Sequence, residues 1–295
     1  MRILITGARG QLGREIQKKK DLLKKAEFYF TDIDELDIRK QKDVSDIIRK
    51  VNPSWLINCA AYTAVDRAEK EPAEAFALNA SAVSNIVSAA KHAGGIKLIH
   101  ISTDFVFDGK NHSPYTEDNM TGALSVYGRS KQKGEEYALS YPPATVIRTS
   151  WLYSEFGSNF VKTILRLALE KDEINVINDQ TGSPTWASDL ASAVVRIISD
   201  TEKNKNNYIP GLYHYSNEGY CSWYEFAEEI KKIQRHDIKI KPVSTAEYPL
   251  PAKRPAYSVL CSDKIKKNYN IDIPYWQESL KKCIQNINLA NERTG

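Results

Sequence analysis

The chain has 295 residues, 42% of them hydrophobic and 26% charged, with a formal net charge of +4. That balance is ordinary for a folded globular protein and excludes a collagen-like, low-complexity or charge-driven disordered chain. No apolar run approaches the ~20 residues that cross a bilayer, and the basic clusters at 18–20, 24–25 and 203–205 are interleaved with acids rather than laid out as a nucleic-acid-binding stripe.

Taken in chain order, short apolar runs alternate with helix-like stretches. Residues 2–6 (RILIT) predict a buried strand, and this apolar start is too short for a secretory signal. A helix is expected over 11–25, a strand over 27–32 (EFYFTD), a helix over 41–51 and a strand over 55–60 (WLINCA). Next come a helix over 72–93 with Pro72 in its first turn, a strand over 96–102, a helix over 124–141 and a strand over 145–150. Alternation of this length implies an α/β fold of Rossmann type, a doubly wound parallel sheet with helices on both faces. Beyond 150 the pattern is less regular. Turn-rich segments at 179–185, 217–223 and 249–258 read as loops that fold over something rather than as a second independent core. Residues 1–150 are therefore expected to form a dinucleotide-binding domain, and 151–295 a smaller α/β region with later segments returning to the sheet. The four cysteines, Cys59, Cys221, Cys261 and Cys283, make no metal-ligand spacing. Scattered thiols fit a cytoplasmic protein.

Gly7, Gly10 and Gly13 form G-x-x-G-x-x-G directly after the first strand and at the opening of a helix. Glycine lets the backbone turn tightly and approach a pyrophosphate, while the helix start offers unpaired N–H groups and partial positive charge. Asp32 ends the second strand, where a carboxylate can take a hydrogen bond from a ribose 2′-OH. That leans toward NADH; Arg9 and Arg39 could accommodate a 2′-phosphate, so NADH and NADPH both stay open. Asp37 and Ile38 could border the adenine. Ala60 and Ala61, small residues at a strand's carboxyl end, let the backbone come close to a dinucleotide, and Asn79 could reach it from a helix face rich in small residues. Asp66 and Glu69 read as carboxylates that cap and solubilise a helix.

Ser102, Thr103 and Asp104 follow the fourth strand, at the carboxyl edge where open α/β sheets hold their ligands. Of 16 tyrosines, only Tyr127 is followed four places later by a lysine, Lys131. That spacing puts both on one helix face. A carbonyl that accepts a hydride develops negative charge on oxygen and needs a proton. A phenol of ordinary pKa, about 10, is a poor acid near neutrality. A nearby ammonium favours the phenolate and lowers that value, and it can also hold a nicotinamide ribose. A threonine hydroxyl beside the phenol can orient the carbonyl and steady the oxyanion. Lys133, Glu135 and Glu136 read as solvated helix surface.

Together the glycine turn with Gln11 and Leu12, STDFVFDG, YGRSK and RTSWLY resemble the extended short-chain dehydrogenase/reductase superfamily. NFVKTILRLA, DQTGSPTWASDLA, CSWYEFA and AKRPAYSVL extend the resemblance, within it, to the dTDP-4-dehydrorhamnose reductase family, over nearly the whole chain. The resemblance implies NAD(P)H-dependent reduction of the C4 ketone of dTDP-4-dehydro-L-rhamnose. It implies Tyr127 as proton donor, Lys131 as its partner and Thr103 as the tuning hydroxyl. Thr103, Asp104 and Trp151 would touch the sugar, and Arg254 either the pyrophosphate or its own loop. Gly10, Gln11 and Leu12 would cradle the dinucleotide, with Asp32, Asp37, Ile38, Ala60, Ala61, Tyr62 and Thr63 on its adenosine side. The implied partner is a dTDP-sugar held under the C-terminal part, with neither nucleic acid nor membrane. The resemblance also leaves open a homodimer and a magnesium ion, with Glu15 and Asp189 as acidic positions but no ligand set. Phe105, Ala123 and Ser125 depart from the tyrosine, proline and asparagine the family often carries there. Two rivals stand beside this reading: a nucleotide-sugar epimerase or dehydratase of the same fold, and a non-catalytic subunit resembling the one that regulates methionine adenosyltransferase. Phe105 stands where dehydratases carry an acid, and intact Thr103, Tyr127 and Lys131 speak for catalysis.

Overall fold

A computed structural model describes residues 1–292. The first half alternates as β1 (Arg2–Thr6), α1 (Gln11–Lys18), β2 (Glu27–Thr31), α2 (Gln41–Val51), β3 (Trp55–Asn58), the short α3 (Val65–Ala68) and α4 (Pro72–Phe76), α5 (Ala82–Ala93), β4 (Lys97–Thr103), α6 (Val126–Leu139) and β5 (Ala144–Thr149). The second half adds β6 (Leu152–Tyr153), α7 (Phe160–Glu170), β7 (Glu173–Ile177), β8 (Thr181–Gly182), β9 (Thr185–Trp186), α8 (Ala187–Lys203), β10 (Gly211–His214), β11 (Cys221–Ser222), α9 (Trp223–Gln234), β12 (Lys239–Val243), α10 (Asp263–Tyr269) and α11 (Trp276–Glu292).

Among the described residues the main sheet has six strands in the order β10-β5-β4-β3-β1-β2, every pair parallel. Successive side chains of a strand point to opposite faces. Ile3 and Ile5 accordingly pack with Leu12 and Ile16 of α1 and Leu190 and Val194 of α8, while Leu4 packs with Val44 and Ile48 of α2 and Ile86 of α5. A sheet covered on both faces explains why its strands are nearly unbroken apolar runs. The winding reverses at β1: β2 lies on one side of it and β3 on the other. Such a reversal opens a crevice at the carboxyl ends of the two strands. β10 joins the outer edge of β5, so the chain returns to the sheet after residue 210.

Three elements differ from the sequence reading. The helix expected over 11–25 stops at Lys18, with a single 3₁₀ turn at Lys20–Leu23. The helix expected over 72–93 is interrupted by a π turn, Ala77–Ser81, which buries Asn79. Composition does not distinguish such a turn from α-helix, and π turns often accompany functional sites. The C-terminal region also has an apolar core of its own, against expectation. Tyr153, Val161, Phe226, Ile230, Trp276 and Leu280 gather there between α7, α9, α11 and the parallel β7–β12 pair. No described helix is long and apolar enough to cross a membrane.

Candidate active site

The crevice begins at the glycine turn. Gly7 has φ 67°, and a Cβ there would lie 2.6 Å from the Ala60 nitrogen. Only glycine lets the ends of β1 and β3 meet this closely. The Gly10 amide donates to the Gly7 carbonyl at 3.1 Å, and α1 starts at once with the amides of Gln11, Leu12 and Gly13. A helix leaves its first amides unpaired. These residues line a cleft of about 730 Å³ that continues past Ala61, Thr63, Thr103, Asp104, Tyr127, Lys131, Trp151 and Arg254. Beside it a second hollow of about 380 Å³ is walled by Arg9, Asp32, Ile38, Ala60 and Leu78.

Three expected cofactor contacts lie on neither wall, each for a local reason. The Tyr62 hydroxyl donates to Glu71 at 2.7 Å. Asp37 is held by Arg39 at 2.9 and 3.0 Å. Asn79 is spent behind the cleft: its Oδ1 accepts the Tyr62 amide at 2.8 Å, and its Nδ2 donates to the Tyr62 carbonyl and Ser130 Oγ at 3.0 and 2.9 Å. It therefore ties the segment after β3 to α6 instead of reaching a ligand.

Ser125 starts α6 by accepting the Gly128 amide on its hydroxyl at 3.1 Å, which replaces the asparagine often found there. The helix then brings Tyr127 and Lys131 to the end of β4. Tyr127 is buried, with Phe105 edge-on at 5.6 Å between ring centres. Burial pushes its phenol up to about 12, and the Thr103 hydroxyl pulls the other way. Thr103 in turn donates to Asp104 Oδ1 at 3.0 Å and accepts the Phe105 amide at 3.2 Å. Lys131 Nζ donates to the Ile101 carbonyl at 2.6 Å. Burial pushes the ammonium down to about 8, against the opposing field of Glu135. The expected lowering of Tyr127 by Lys131 is absent: the lysine is engaged at Ile101, and the phenol answers to burial, Thr103 and Asp104. Asp104 is itself raised to about 6 by burial, with Ser258 and Thr103 opposing.

The floor of the cleft holds buried polar atoms without a protein partner: Ser102 Oγ, Asp104 Oδ2 and Thr149 Oγ1. Each such atom costs about 1–3 kcal/mol until a partner arrives. A dinucleotide and a sugar, rich in hydroxyls and amide groups, suit this floor as the glycine turn suits a pyrophosphate.

Several residues acquire unforeseen roles. Glu135 is buried, and Arg148 of β5 grips it with two hydrogen bonds of 2.8 and 2.7 Å. Its solvated reading is corrected; a signal was present, since Tyr127, Lys131 and Glu135 are spaced by four. Trp151 is left-handed at φ 46°, a backbone state that costs on the order of 1–3 kcal/mol. Its indole stacks on Trp223 at 3.5 Å and 7°, and a Cβ on Gly182 would stand 2.5 Å from its other side. Trp151 therefore offers the cleft an edge, and Trp223 and Phe160 join the wall. Arg254 faces the cleft while Asp66 grips it at 3.0 and 2.7 Å. Asp66 also accepts the Ala252 amide at 3.1 Å, so it anchors a loop rather than a helix end.

Magnesium finds no support: among the described residues no group of three or more His, Cys, Asp or Glu is placed to hold a metal. Asp189 accepts from Asn217 and Ser279. Glu15 is fully buried beside Glu155, and burial first, then Glu155, pushes its carboxyl up to about 8.

The family model of the RmlD substrate binding domain matches residues 1–289. The chain is 42% identical to a dTDP-4-dehydrorhamnose reductase of Sinorhizobium fredii over 292 residues, 96% of this chain and 97% of that one. The crystal structure of a dTDP-4-dehydrorhamnose reductase from Clostridium acetobutylicum superposes with a TM-score of 0.91 at 41% identity, covering 98% of this chain and all of the other. A Bacillus anthracis dTDP-4-dehydrorhamnose reductase, crystallised in complex with NADP, gives 0.90 at 37% identity over 97% and 99% of the two chains. Matched from end to end, with the glycine turn, the Thr103–Tyr127–Lys131 set and the sheet order all in place, the chain belongs to the dTDP-4-dehydrorhamnose reductase family.

Proposed function

We propose that the protein uses NAD(P)H to reduce the C4 ketone of dTDP-4-dehydro-L-rhamnose to dTDP-L-rhamnose, the last step of dTDP-rhamnose biosynthesis, in the cytoplasm. The observation that carries this reading is the buried phenol of Tyr127, one turn from Lys131 and sharing with Thr103 the cleft that the glycine turn opens.

The dinucleotide supplies the hydride. Tyr127, held protonated up to about 12, gives its phenolic proton to the C4 oxygen as negative charge develops there. Thr103 turns its hydroxyl from Asp104 to that oxygen, steers it and stabilises the charge by a hydrogen bond in a site withdrawn from water. Lys131 turns its ammonium from the Ile101 carbonyl toward the nicotinamide ribose. Asp104 and the edge of Trp151 bound the sugar. Arg254, already oriented by Asp66, keeps N–H donors for the pyrophosphate of the dTDP moiety.

Purified protein given dTDP-4-dehydro-L-rhamnose and reduced dinucleotide should consume the dinucleotide and form dTDP-L-rhamnose in equal amounts. An isomer formed without net oxidation would identify an epimerase instead. Tyr127→Phe should lose roughly 10²–10⁴ in turnover, the usual worth of a general acid. Its affinity for the dinucleotide should stay the same. Undiminished turnover in this variant ends the proposed mechanism.

A further inference from the structure

We infer that Glu135 is a positioning residue for the reaction: from one turn behind Lys131 its buried carboxylate keeps that lysine an ammonium, the state in which it can hold a nicotinamide ribose. This rests on the reading of the cleft given above. Tyr127, Lys131 and Glu135 follow one another at intervals of four along α6, so they share one face of the helix. All three are buried. Lys131 Nζ donates to a neutral acceptor, the Ile101 carbonyl, at 2.6 Å. A buried ammonium with no counter-charge gives up its proton readily.

The groups that face Lys131 narrow the choice of counter-charge. Cys59, after β3, is a buried thiol pushed up to about 12, so it stays neutral near pH 7. His100 of β4 is buried as well. Burial first, and then the charge of Lys131, holds its imidazole well below the ordinary range, so it too stays neutral. Tyr127 keeps its phenolic proton, and the field of Asp104 falls on that phenol. The negative field that reaches Lys131 comes from Glu135.

A carboxylate buried this deeply needs a partner of its own. Arg148 of β5 donates to both Glu135 oxygens at 2.8 and 2.7 Å, the two-point grip of a guanidinium on a carboxylate. That guanidinium is held in turn by Phe107, whose ring centre lies 5.0 Å away, and its Nη1 meets His214 Nε2 at 3.4 Å. The positive field of Arg148 is felt at His214, whereas that of Glu135 is felt at Lys131. The pair is thus a fixed dipole with its negative end toward the lysine. Away from water such a field is little screened. A pair that only tied α6 to β5 would do so as well without its charges.

The double variant Glu135→Gln with Arg148→Gln tests this, because two amides can replace the ion pair without leaving a charge buried. Lys131 is followed through the Cε signal of isotope-labelled lysine, assigned by its absence from Lys131→Met. Its titration midpoint should fall by about one pH unit in the double variant, since losing the counter-charge favours the neutral amine. Affinity for NADPH, read by nicotinamide fluorescence, should match that of the unaltered protein at about pH 6 and be about fivefold lower at about pH 8, one unit being a factor of ten in protonation. A second neutral pair, Glu135→Leu with Arg148→Met, should lower the midpoint alike and keeps the test open if the amides pack poorly. Glu135→Asp retains the charge and should retain most of the midpoint. An unmoved midpoint in the neutral pairs overturns the inference. So does a fall as large in Glu135→Asp, or an affinity lowered by one factor at both pH values, which loosened packing alone would give. A midpoint that falls while affinity stays unmoved leaves the hold of Glu135 on Lys131 in place and overturns instead the role of that lysine in binding the dinucleotide.

Discussion

At the reacting end of the cleft Tyr127, Lys131 and Asp104 are withdrawn from water, whereas at the adenosine end Arg9, Asp34 and Glu35 stand in it. The two ends draw on similar ionisable groups. In the first, burial is the largest influence, and it takes the phenol up to about 12, the ammonium down to about 8 and the carboxyl up to about 6. In the second, solvent screens every pair. A proton must be held at one atom until charge develops, and this needs a low dielectric.

The contrast breaks most visibly behind Lys131. Glu135 and Arg148 are each only a few per cent exposed, and their pairing ties β5 to the helix that carries Tyr127 and Lys131. Glu135→Gln leaves the Arg148 guanidinium buried without its counter-charge, which costs about 3–5 kcal/mol of stability. Asp34→Ser, which removes a partner of Arg9 in water, should leave the unfolding midpoint unchanged. Urea unfolding of the two variants measures the difference. Equal midpoints would erase the distinction between the two ends.

Much of the fold was readable because short apolar runs and the glycine turn are local signals. Gly7 to Gly13, Thr103, Tyr127 and Lys131 converge in one cleft because each sits at the carboxyl end of a strand or the start of the next helix. What escaped depends on partners far away in the chain. The burial of Glu135 requires Arg148 of β5. The loop-anchoring role of Asp66 requires Arg254, 188 residues later. The C-terminal core needs Tyr153, Phe226 and Trp276 to meet from three separate elements, and no window of sequence contains them. The π turn at 77–81 uses the same small residues as the helices on either side of it.

Trp151 shows how the C-terminal region reaches back to the reacting end. Its backbone is left-handed and its indole stacks on Trp223, an interaction worth about 0.5–1.5 kcal/mol beyond burial. Trp223→Ala should release the indole from its edge-on position. Small displacements near reacting atoms cost up to about 10²-fold, so kcat/KM for the nucleotide-sugar should fall roughly 10- to 100-fold. Dinucleotide affinity should be nearly unaffected, and Trp223→Phe should restore most of the loss by keeping an aromatic face. A loss that Trp223→Phe does not restore, with dinucleotide affinity falling in parallel, would make Trp223 a packing residue only.

The mildest test is a change of pH. Lys131 is held down to about 8, so it passes from mostly cationic to mostly neutral between pH 7 and pH 9. Tyr127 stays protonated through that range. If the ammonium holds the nicotinamide ribose, dinucleotide affinity falls about twofold by pH 8 and about tenfold by pH 9, one pH unit being a factor of ten in protonation. The effect on the fold has the opposite sign. The folded value lies below the ordinary 10.5, so between about 8 and 10.5 the unfolded chain binds the extra proton and Lys131's own contribution to stability rises with pH. Weaker binding above pH 8 therefore does not come from this lysine loosening the protein. Lys131→Met should bind weakly at pH 7 and lose nothing further by pH 9. A variant whose affinity falls with pH as steeply as that of the unaltered protein would assign the titration to another group.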